Sequence, residues 1–303
     1  MAQVTLDYKT PNYQVYKAED PKLPKNTLII SSEETRAVLY NPHIAGKQLQ
    51  DAMEKVSIVF NEVVKEKVLK EEKSMDAVEF VLLAGGLYYN LNYGFKKVHN
   101  MALPQCFLGI KRQRVEGKEG QFNAVATYEN FESLGNNATV IIGDTIASGA
   151  TIVRAVKILE DALEEKEYKI KNIVIISLAC STKGARRLKK LEEKIQGKVY
   201  LIVAEQLFHV MPDGTDLRFL REDTVIPEET QKYTIKTYGT FLGREMKCAV
   251  FDWGTRCKNP KKHYTEFLEF AEQILKHKEI DKKGKEVIEL MKKEAEEELK
   301  KFS

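Results

Sequence analysis

Residues 140–152, Val-Ile-Ile-Gly-Asp-Thr-Ile-Ala-Ser-Gly-Ala-Thr-Ile, constrain the fold more than any other stretch of this chain. An apolar run over 139–142 leads to Asp144, a loop of small residues follows, and apolar residues then recur at helical spacing from Ile152 to Leu163. This pattern predicts a buried strand, a tight loop and the start of an amphipathic helix. N–H groups of such a loop converge on one point, where the helix dipole adds partial positive charge. The segment therefore predicts an anion-binding site.

The side chains of this loop indicate which anion it suits. Gly149 lets the backbone approach an oxyanion closely, and Ser148 and Thr151 offer hydroxyl donors. Asp144 cannot help to hold a phosphate, but its carboxylate can accept hydrogen bonds from sugar hydroxyls. The loop therefore favours a ligand with a phosphate on one side and a diol on the other.

This arrangement resembles the phosphoribosyl-pyrophosphate loop of type I phosphoribosyltransferases, which has an apolar strand, one or two acids, two apolar residues and a Ser/Thr-Ser/Thr-Gly-x-Ser/Thr turn. Asp144 matches the second acid, and Gly143 stands where the first acid is usual. The resemblance implies that the loop holds the 5′-phosphate while Asp144 orients the ribose. An ordinary turn between strand and helix, with a capping serine, is the alternative. The residues of the loop predicted to bind substrate are Thr145, Ala147, Ser148, Gly149, Ala150 and Thr151.

A second segment falls where that family binds pyrophosphate. Ala84, Gly85 and Gly86 follow an apolar run over 78–83, which predicts a strand with a short loop at its end. Consecutive glycines allow backbone geometries in which N–H groups face a diphosphate. The resemblance implies that these three residues contact the pyrophosphate, although a Gly-Gly pair after a strand is also a common turn.

Two strand-like runs flank a basic connection over 111–123, which predicts a long hairpin. Its Gly-Ile-x-Arg pattern at 109–112 is most similar to uracil phosphoribosyltransferases. The resemblance implies a flexible hairpin that closes over the reaction centre and brings Arg112 and Arg114 to the pyrophosphate as catalytic residues. A solvated basic loop is the alternative.

The order of elements predicts the fold class. Further apolar strands at 173–177 and 199–204, separated from 139–142 and from each other by helical segments, suit parallel crossovers. We predict an α/β protein with the Rossmann-like three-layer fold of type I phosphoribosyltransferases, a mainly parallel central sheet, a flexible hairpin and helical terminal extensions. Strands at 28–31 and 37–40 and a helix from 46 to about 73 are also expected.

Three regions are expected along the chain. Residues 1–74 form an N-terminal part that packs on the core, with an extended arm over 1–27 and the long helix. Residues 75–243 form the phosphoribosyltransferase core with its hood. Residues 244–303 form a helical C-terminal extension, in which Glu and Lys alternate.

The region that would recognise the acceptor base departs from the uracil enzymes. Those enzymes carry a Gly-Asp-Ala-Gly-Asp-like stretch before Phe-Gly-Thr, whereas this chain has Glu-Glu-Thr-Gln-Lys-Tyr at 228–233 and Tyr-Gly-Thr at 238–240. An acceptor other than uracil is therefore expected. His209 is a candidate general base for an acceptor N–H, with a structural role as the alternative. The residues that could read another heterocycle, or equally lie on a loop surface, are Asp213, Asp216, Arg218 and Tyr233.

Composition bounds the partners. The 48 basic and 45 acidic residues are interspersed and give a net charge of +3, so no nucleic-acid partner is expected. No stretch reaches the roughly 18 uninterrupted apolar residues of a membrane span, and the amino terminus has no export pattern, so a cytoplasmic protein without membrane contact is expected. Cys248, Cys257 and His263 are open to interpretation as metal ligands, but their spacing favours buried thiols, and no protein metal ligands are predicted.

The predicted function is transfer of the 5-phosphoribosyl group of phosphoribosyl pyrophosphate to a nitrogenous base, with release of pyrophosphate. The resemblance implies a pentosyltransferase that depends on Mg²⁺ and forms a homodimer. The alternative is a regulator that binds a nucleotide or phosphoribosyl pyrophosphate on the same fold without turning it over, which Gly143 favours. A P-loop kinase is disfavoured because the loop has no Gly-Lys-Ser/Thr core.

Overall fold

The computed structural model describes residues 2–70, 76–117, 122–248 and 253–302. The strands of its large sheet are β1 (Gln3–Lys9), β2 (Tyr13–Glu19), β3 (Asn26–Ser32), β4 (Ala77–Leu83), β5 (Gln105–Arg114), β6 (Phe122–Asn130), β7 (Ala138–Gly143), β8 (Ile170–Ser177) and β10 (Lys198–Ala204). The strands of a smaller sheet are β9 (Cys180–Ser181), β11 (Leu207–Val210) and β12 (Leu217–Arg218). The helices are α1 (Glu33–Leu39), α2 (Gly46–Lys67), α3 (Leu91–His99), α4 (Ala150–Glu165), α5 (Thr182–Glu192), α6 (Glu228–Glu245), α7 (Trp253–Lys258), α8 (Pro260–Leu275) and α9 (Lys282–Leu299).

The large sheet has the order β1-β2-β3-β10-β8-β7-β4-β5-β6. Its central strands from β3 to β5 run parallel, while β6 at one edge and the β1–β2 pair at the other are antiparallel. A mixed α/β fold with a large, mainly parallel sheet is therefore confirmed. The predicted strands at 78–83, 139–142, 173–177 and 199–204 are confirmed as β4, β7, β8 and β10.

Alternating side chains of the central strands build two apolar cores, one on each face of the sheet. On β7, Ile141 packs in the core that includes α1, α2 and α3, whereas Val140 and Ile142 pack in the core beneath α4 and α5. Both faces are covered, as a parallel sheet requires, which explains why its strands are continuous apolar runs. The three layers leave the carboxyl ends of the parallel strands for a ligand site.

The N-terminal region differs from the sequence prediction in two places. Residues 1–27 are not an extended arm, because β1 and β2 form a hairpin that pairs with β3 and extends the sheet. The strand predicted at 37–40 is wrong, since residues 33–39 form α1. Ser32 starts that helix: its side chain accepts from the N–H of Thr35, whose side chain in turn accepts from the N–H of Ser32. The strand β3 at 28–31 is confirmed, and α2 ends at Lys67, before the predicted residue 73.

The C-terminal helices form hydrogen bonds with the loop between α1 and α2. The buried guanidinium of Arg256 donates to the carbonyl of Ile44, with Nε at 3.1 Å and Nη2 at 2.8 Å. His263 Nε2 lies 2.9 Å from the carbonyl oxygen of Pro42, and His43 Nε2 lies 2.7 Å from Glu294. Helices α8 and α9 share the apolar core of α1 and α2. Helix α6 continues past the boundary predicted at residue 243 and ends at Glu245. The division of the chain into three regions stays a prediction.

Candidate functional site

The loop after β7 is held in shape by the loop after β8. The N–H of Asp144 donates to Ile176 at 3.0 Å, and the N–H of Ile146 donates to Ala179 at 2.9 Å. Ser181 closes the link, because its N–H donates to Ile146 at 2.7 Å and its hydroxyl donates to Ala147 at 2.5 Å. These bonds link residues 144–147 to the loop after β8, so they fix the shape of the segment that leads into α4.

The loop after β7 ends at the start of α4. Gly149 is the N-cap residue with φ 77°, a left-handed conformation that favours glycine, and no side chain caps this helix. The first bond of the helix runs from Val153 N–H to Gly149, so the N–H groups before Val153 have no partner within the helix. Residues 144–152 line a shallow pocket at this point. The arrangement suits a phosphate, whose oxygens can satisfy such N–H groups.

The Gly-Gly turn after β4 lies against this loop. A Cβ atom added to Gly85 would lie 3.7 Å from Asp144 Oδ1, and one added to Gly86 would lie 3.2 Å from the carbonyl oxygen of Gly143. The peptide between Leu83 and Ala84 is cis. The structure therefore brings together the predicted residues 84–86 with 144–151, which lie apart in sequence. Their contacts with a ligand stay a prediction.

Tyr89 explains why a glycine stands at position 143. A Cβ on Gly143 would lie 2.8 Å from Cγ of the Tyr89 ring, closer than side-chain atoms approach. The buried Tyr89 hydroxyl lies 3.2 Å from Thr145 Oγ1 and accepts from the N–H of Leu178 at 3.0 Å. Burial, together with the nearby charge of Asp144, raises the pKa of this phenol, so it stays neutral. The site therefore has a tyrosine wedge where the family pattern has its first acid, which sequence reasoning missed.

The predicted hairpin is formed by β5 and β6, with Arg114 opposite Phe122. The Arg114 guanidinium lies 5.4 Å from the centre of the Phe122 ring. Phe122 in turn lines a groove with residues of α4 and α5. The side chain of Arg112 and the hairpin residues 118–121 lie outside the described residues. The catalytic roles predicted for Arg112 and Arg114 stay predictions.

The side chains proposed to read a heterocycle have structural partners. Asp213 accepts from the N–H groups of Thr215 and Asp216 in a tight turn, and hydrogen bonds from this turn lower the pKa of the Asp213 carboxyl despite its partial burial. Arg218 pairs with Asp216 through Nε at 3.0 Å. Tyr233 lies under the guanidinium of Arg36, 4.1 Å from the ring centre. These contacts favour structural roles for the four residues, although Arg218 lies on β12 and Tyr233 on α6 rather than on a loop surface.

His209 is better placed for chemistry. Its Nδ1 lies 2.6 Å from Asp223 Oδ1, and about a quarter of the side chain is exposed. Asp223 also accepts, through its main-chain carbonyl, a 2.7 Å bond from the hydroxyl of Thr182, the first residue of α5. Thr182 follows Ser181, whose hydroxyl donates to the carbonyl of Ala147 in the loop after β7. A carboxylate on one ring nitrogen orients the imidazole and leaves Nε2 for a proton. Asp223 was not recognised from the sequence, since its 14-residue separation from His209 has no local pattern.

The described residues contain no group of three His, Cys, Asp or Glu side chains that could hold a metal ion. His263 Nε2 is taken up by Pro42, and the thiol of Cys248 is buried. The helices within the described ranges are all too short or too polar to cross a membrane.

Comparisons with known proteins give only weak likenesses. No protein-family model and no curated protein matches the chain in sequence. Among solved structures, the AQ2163 protein of Aquifex aeolicus is 18% identical with a TM-score of 0.43, and the similarity covers 60% of this chain and 89% of that one. Adenine phosphoribosyltransferase from Thermoanaerobacter pseudethanolicus is 14% identical with a TM-score of 0.31, covering 50% and 81%. Hypoxanthine-guanine phosphoribosyltransferase of L. donovani is 14% identical with a TM-score of 0.31, covering 61% of this chain and 95% of that one.

Proposed function

We propose that this protein is a type I phosphoribosyltransferase that transfers the 5-phosphoribosyl group of phosphoribosyl pyrophosphate to a nitrogenous base. The observation that carries the proposal is the convergence of two loops. A Cβ atom added to Gly85 of the Gly-Gly turn would be in van der Waals contact with Asp144, beside the uncapped start of α4. A diphosphate and a 5′-phosphate attached to one ribose need two N–H-rich loops with an acid between them. The acceptor is a base other than uracil, since 228–233 form the start of α6 rather than a glycine-rich loop.

The chemistry follows from positioning and electrostatics. The N–H groups at the start of α4 hold the 5′-phosphate, and those of residues 84–86 face the pyrophosphate. Asp144 accepts from the ribose hydroxyls and stabilises positive charge that develops at C1 as the bond to pyrophosphate breaks. The acceptor nitrogen forms its bond to C1, and its proton passes to Nε2 of His209. Asp223 positions the imidazole for that transfer.

The site fits Mg²⁺ only as an ion held largely by its ligand. Mg²⁺ keeps several waters and takes one or two carboxylates together with phosphate oxygens, and the loop offers Asp144 as a carboxylate. Bound Mg²⁺ would neutralise charge on the departing pyrophosphate. Asp144 and the oxygens of phosphoribosyl pyrophosphate are the donors that we assign to it.

A second candidate function is a non-catalytic sensor of phosphoribosyl pyrophosphate or a nucleotide. One observation favours it: the Tyr89 ring fills the space of the first acid, so a single carboxylate meets the ribose at this loop. For either function we propose a cytoplasmic homodimer, by resemblance to the family.

Thermal unfolding with phosphoribosyl pyrophosphate and Mg²⁺ tests ligand binding by either candidate. We expect a rise in Tm that saturates with ligand, because a ligand bound by the native state stabilises it. The Asp144→Asn variant should lose this rise while its own Tm without ligand stays near that of the wild type. Asp161→Asn, an exposed carboxylate on α4, is the matched control and should keep the full rise. A wild-type protein that shows no shift with any phosphorylated ribose would contradict both functions.

Pyrophosphate release then separates the enzyme from the sensor. Release that requires one base from a panel of purines, pyrimidines and pyridine carboxylates supports phosphoribosyl transfer. A ligand-dependent rise in Tm without release on any base supports the sensor. Release that is fastest with uracil would contradict the proposed acceptor.

A further inference from the structure

A basic groove runs along the outer face of α4 and α5, under the first residues of β6. Its lining residues on α4 are Ala150, Val153, Arg154 and Lys157, and those on and just after α5 are Arg187, Lys190, Leu191 and Lys194. Both sets have the spacing i, i+3, i+4, i+7, which places each set on one face of its helix. Phe122, Asn123 and Ala124 of β6 complete the lining, and the cavity measures about 540 Å³.

Five cations line this groove, and none of them forms an ion pair with a carboxylate of the described residues. In the part of the chain that the structure describes, no Asp or Glu oxygen lies within 4.0 Å of the charged nitrogens of Arg154, Lys157, Arg187, Lys190 or Lys194. Other lysines of the same helix do pair, as Lys189 does with Glu192 at 2.8 Å. The Glu160 carboxyl is near enough for Lys157 and Lys194 to act on it electrostatically, but it lies more than 4.0 Å from their ammonium groups. Because the whole chain carries only +3, this excess of positive charge is local.

The shape of the groove selects among anions. Seven residues of helix span about 10 Å, so the charges are spread along a line that a chain of phosphates can follow. Val153, Leu191 and Phe122 add apolar surface between the cations. The volume lies within the range of about 300 to 1,000 Å³ that is usual for small-molecule sites. An inorganic anion would leave the apolar part uncovered, and a nucleic acid would need a basic surface that extends well beyond one groove.

We propose that this groove binds a nucleoside polyphosphate, with the phosphate chain between the cations of α4 and α5 and the base on the apolar surface by Phe122. The site is separate from the phosphoribosyl site in its charged residues. The two sites meet at Ala150, which lines the groove and also starts α4. The inference does not depend on the proposed enzyme activity.

Calorimetric titration of the full chain with ATP, GTP, UTP, AMP and inorganic tripolyphosphate tests the proposal. We expect at least one triphosphate to bind at least about tenfold more tightly than AMP, since only its chain reaches several cations. The double variant Lys157→Glu/Lys190→Glu should weaken that binding at least about tenfold, because two attractions become repulsions. The matched control Lys183→Glu/Arg186→Glu changes two exposed cations of α5 outside the groove and should bind as the wild type does. Circular dichroism confirms that each variant is folded.

Four results would overturn the inference. They are no binding of any triphosphate, an equal loss in the control, loss of triphosphate binding in Asp144→Asn with the groove variant unaffected, and binding of oligonucleotides only. Equal affinity for tripolyphosphate and the nucleotides, with Phe122→Ala unchanged, would overturn the assignment of the base. The groove proposal and the proposed function can fail separately. If phosphoribosyl pyrophosphate binds at the loop after β7, its binding should survive Lys157→Glu/Lys190→Glu and be lost in Asp144→Asn.

Discussion

Asp144 and Glu205 follow the carboxyl ends of parallel strands, β7 and β10, yet their surroundings differ. Glu205 is fully buried and accepts from Ser32 N–H at 3.1 Å and from the Thr35 hydroxyl at 2.7 Å. Further donors to its carboxylate are Ser31, Arg36 and Thr230. Asp144 is only partly buried and lies beside the backbone of a glycine turn. At one sheet edge, one acid therefore joins β3, α1 and α6, while the other faces a place that a ligand can enter.

Removing Glu205, whose carboxylate accepts hydrogen bonds from five residues, is expected to have the largest effect on stability. Glu205→Ala leaves a buried set of donors without an acceptor, so we expect the free energy of unfolding to fall by about 3 kcal/mol or more. Urea denaturation measures this change. Glu228→Ala, an exposed acid on the adjoining helix α6, is the control and should unfold like the wild type. An equally small effect for Glu205→Ala would show that the contrast between the two acids is wrong.

A third acid, Glu79 at the start of β4, shows what happens when a buried carboxylate has one side-chain donor. Gln105 donates to it at 2.8 Å, and burial raises the Glu79 pKa to about 7. Because the folded pKa exceeds the unfolded one, ionisation costs stability progressively from about pH 4.5 to 7, by about 3 kcal/mol in full. Glu79→Gln should therefore gain stability relative to the wild type between pH 4 and pH 8. A difference that is constant with pH would contradict this.

His209 tests the catalytic side of the comparison. With phosphoribosyl pyrophosphate still bound by Asp144 and the loops, His209→Gln should slow pyrophosphate release about a hundredfold, since general bases contribute 10²–10⁴-fold. Asp223→Asn should also slow release, by a smaller factor, because it removes the carboxylate that orients the imidazole. Single-turnover rates with a saturating base measure both. Unchanged rates in His209→Gln would return that residue to a structural role.

A substitution at Gly143 should have a smaller effect on stability. It tests whether the Tyr89 ring explains why a glycine stands where the family pattern has its first acid. Gly143→Ala places a methyl group 2.8 Å from the Tyr89 ring, so we expect a loss of about 1 to 3 kcal/mol in stability from overpacking. The double variant Gly143→Ala/Tyr89→Leu removes the planar ring and should recover part of the loss. Denaturant midpoints measure both variants. If Gly143→Ala is as stable as the wild type, the tyrosine wedge does not explain the glycine.

The sequence predicted the central elements well because local patterns determine them. The run at 173–177 is rich in β-branched residues and lies between helical segments, which favours a buried strand, and the small residues at 147–151 before a helical pattern favour a tight start to a helix. The convergence of Gly85 with Asp144 could not be seen in either segment, and was expected only by resemblance. Glu205, Tyr89 and Asp223 escaped prediction because their partners lie far along the chain. The helix at 33–39 was missed because apolar residues over 37–40 outweighed the cap at Ser32.

Amide hydrogen exchange, followed with and without phosphoribosyl pyrophosphate and Mg²⁺, tests the central claim most directly, since we propose that backbone N–H groups hold the ligand. Our account predicts that bound ligand slows exchange at residues 84–86 and 147–151, and that Asp144→Asn weakens this protection. Protection confined to other parts of the chain, or none at saturating ligand, would contradict it.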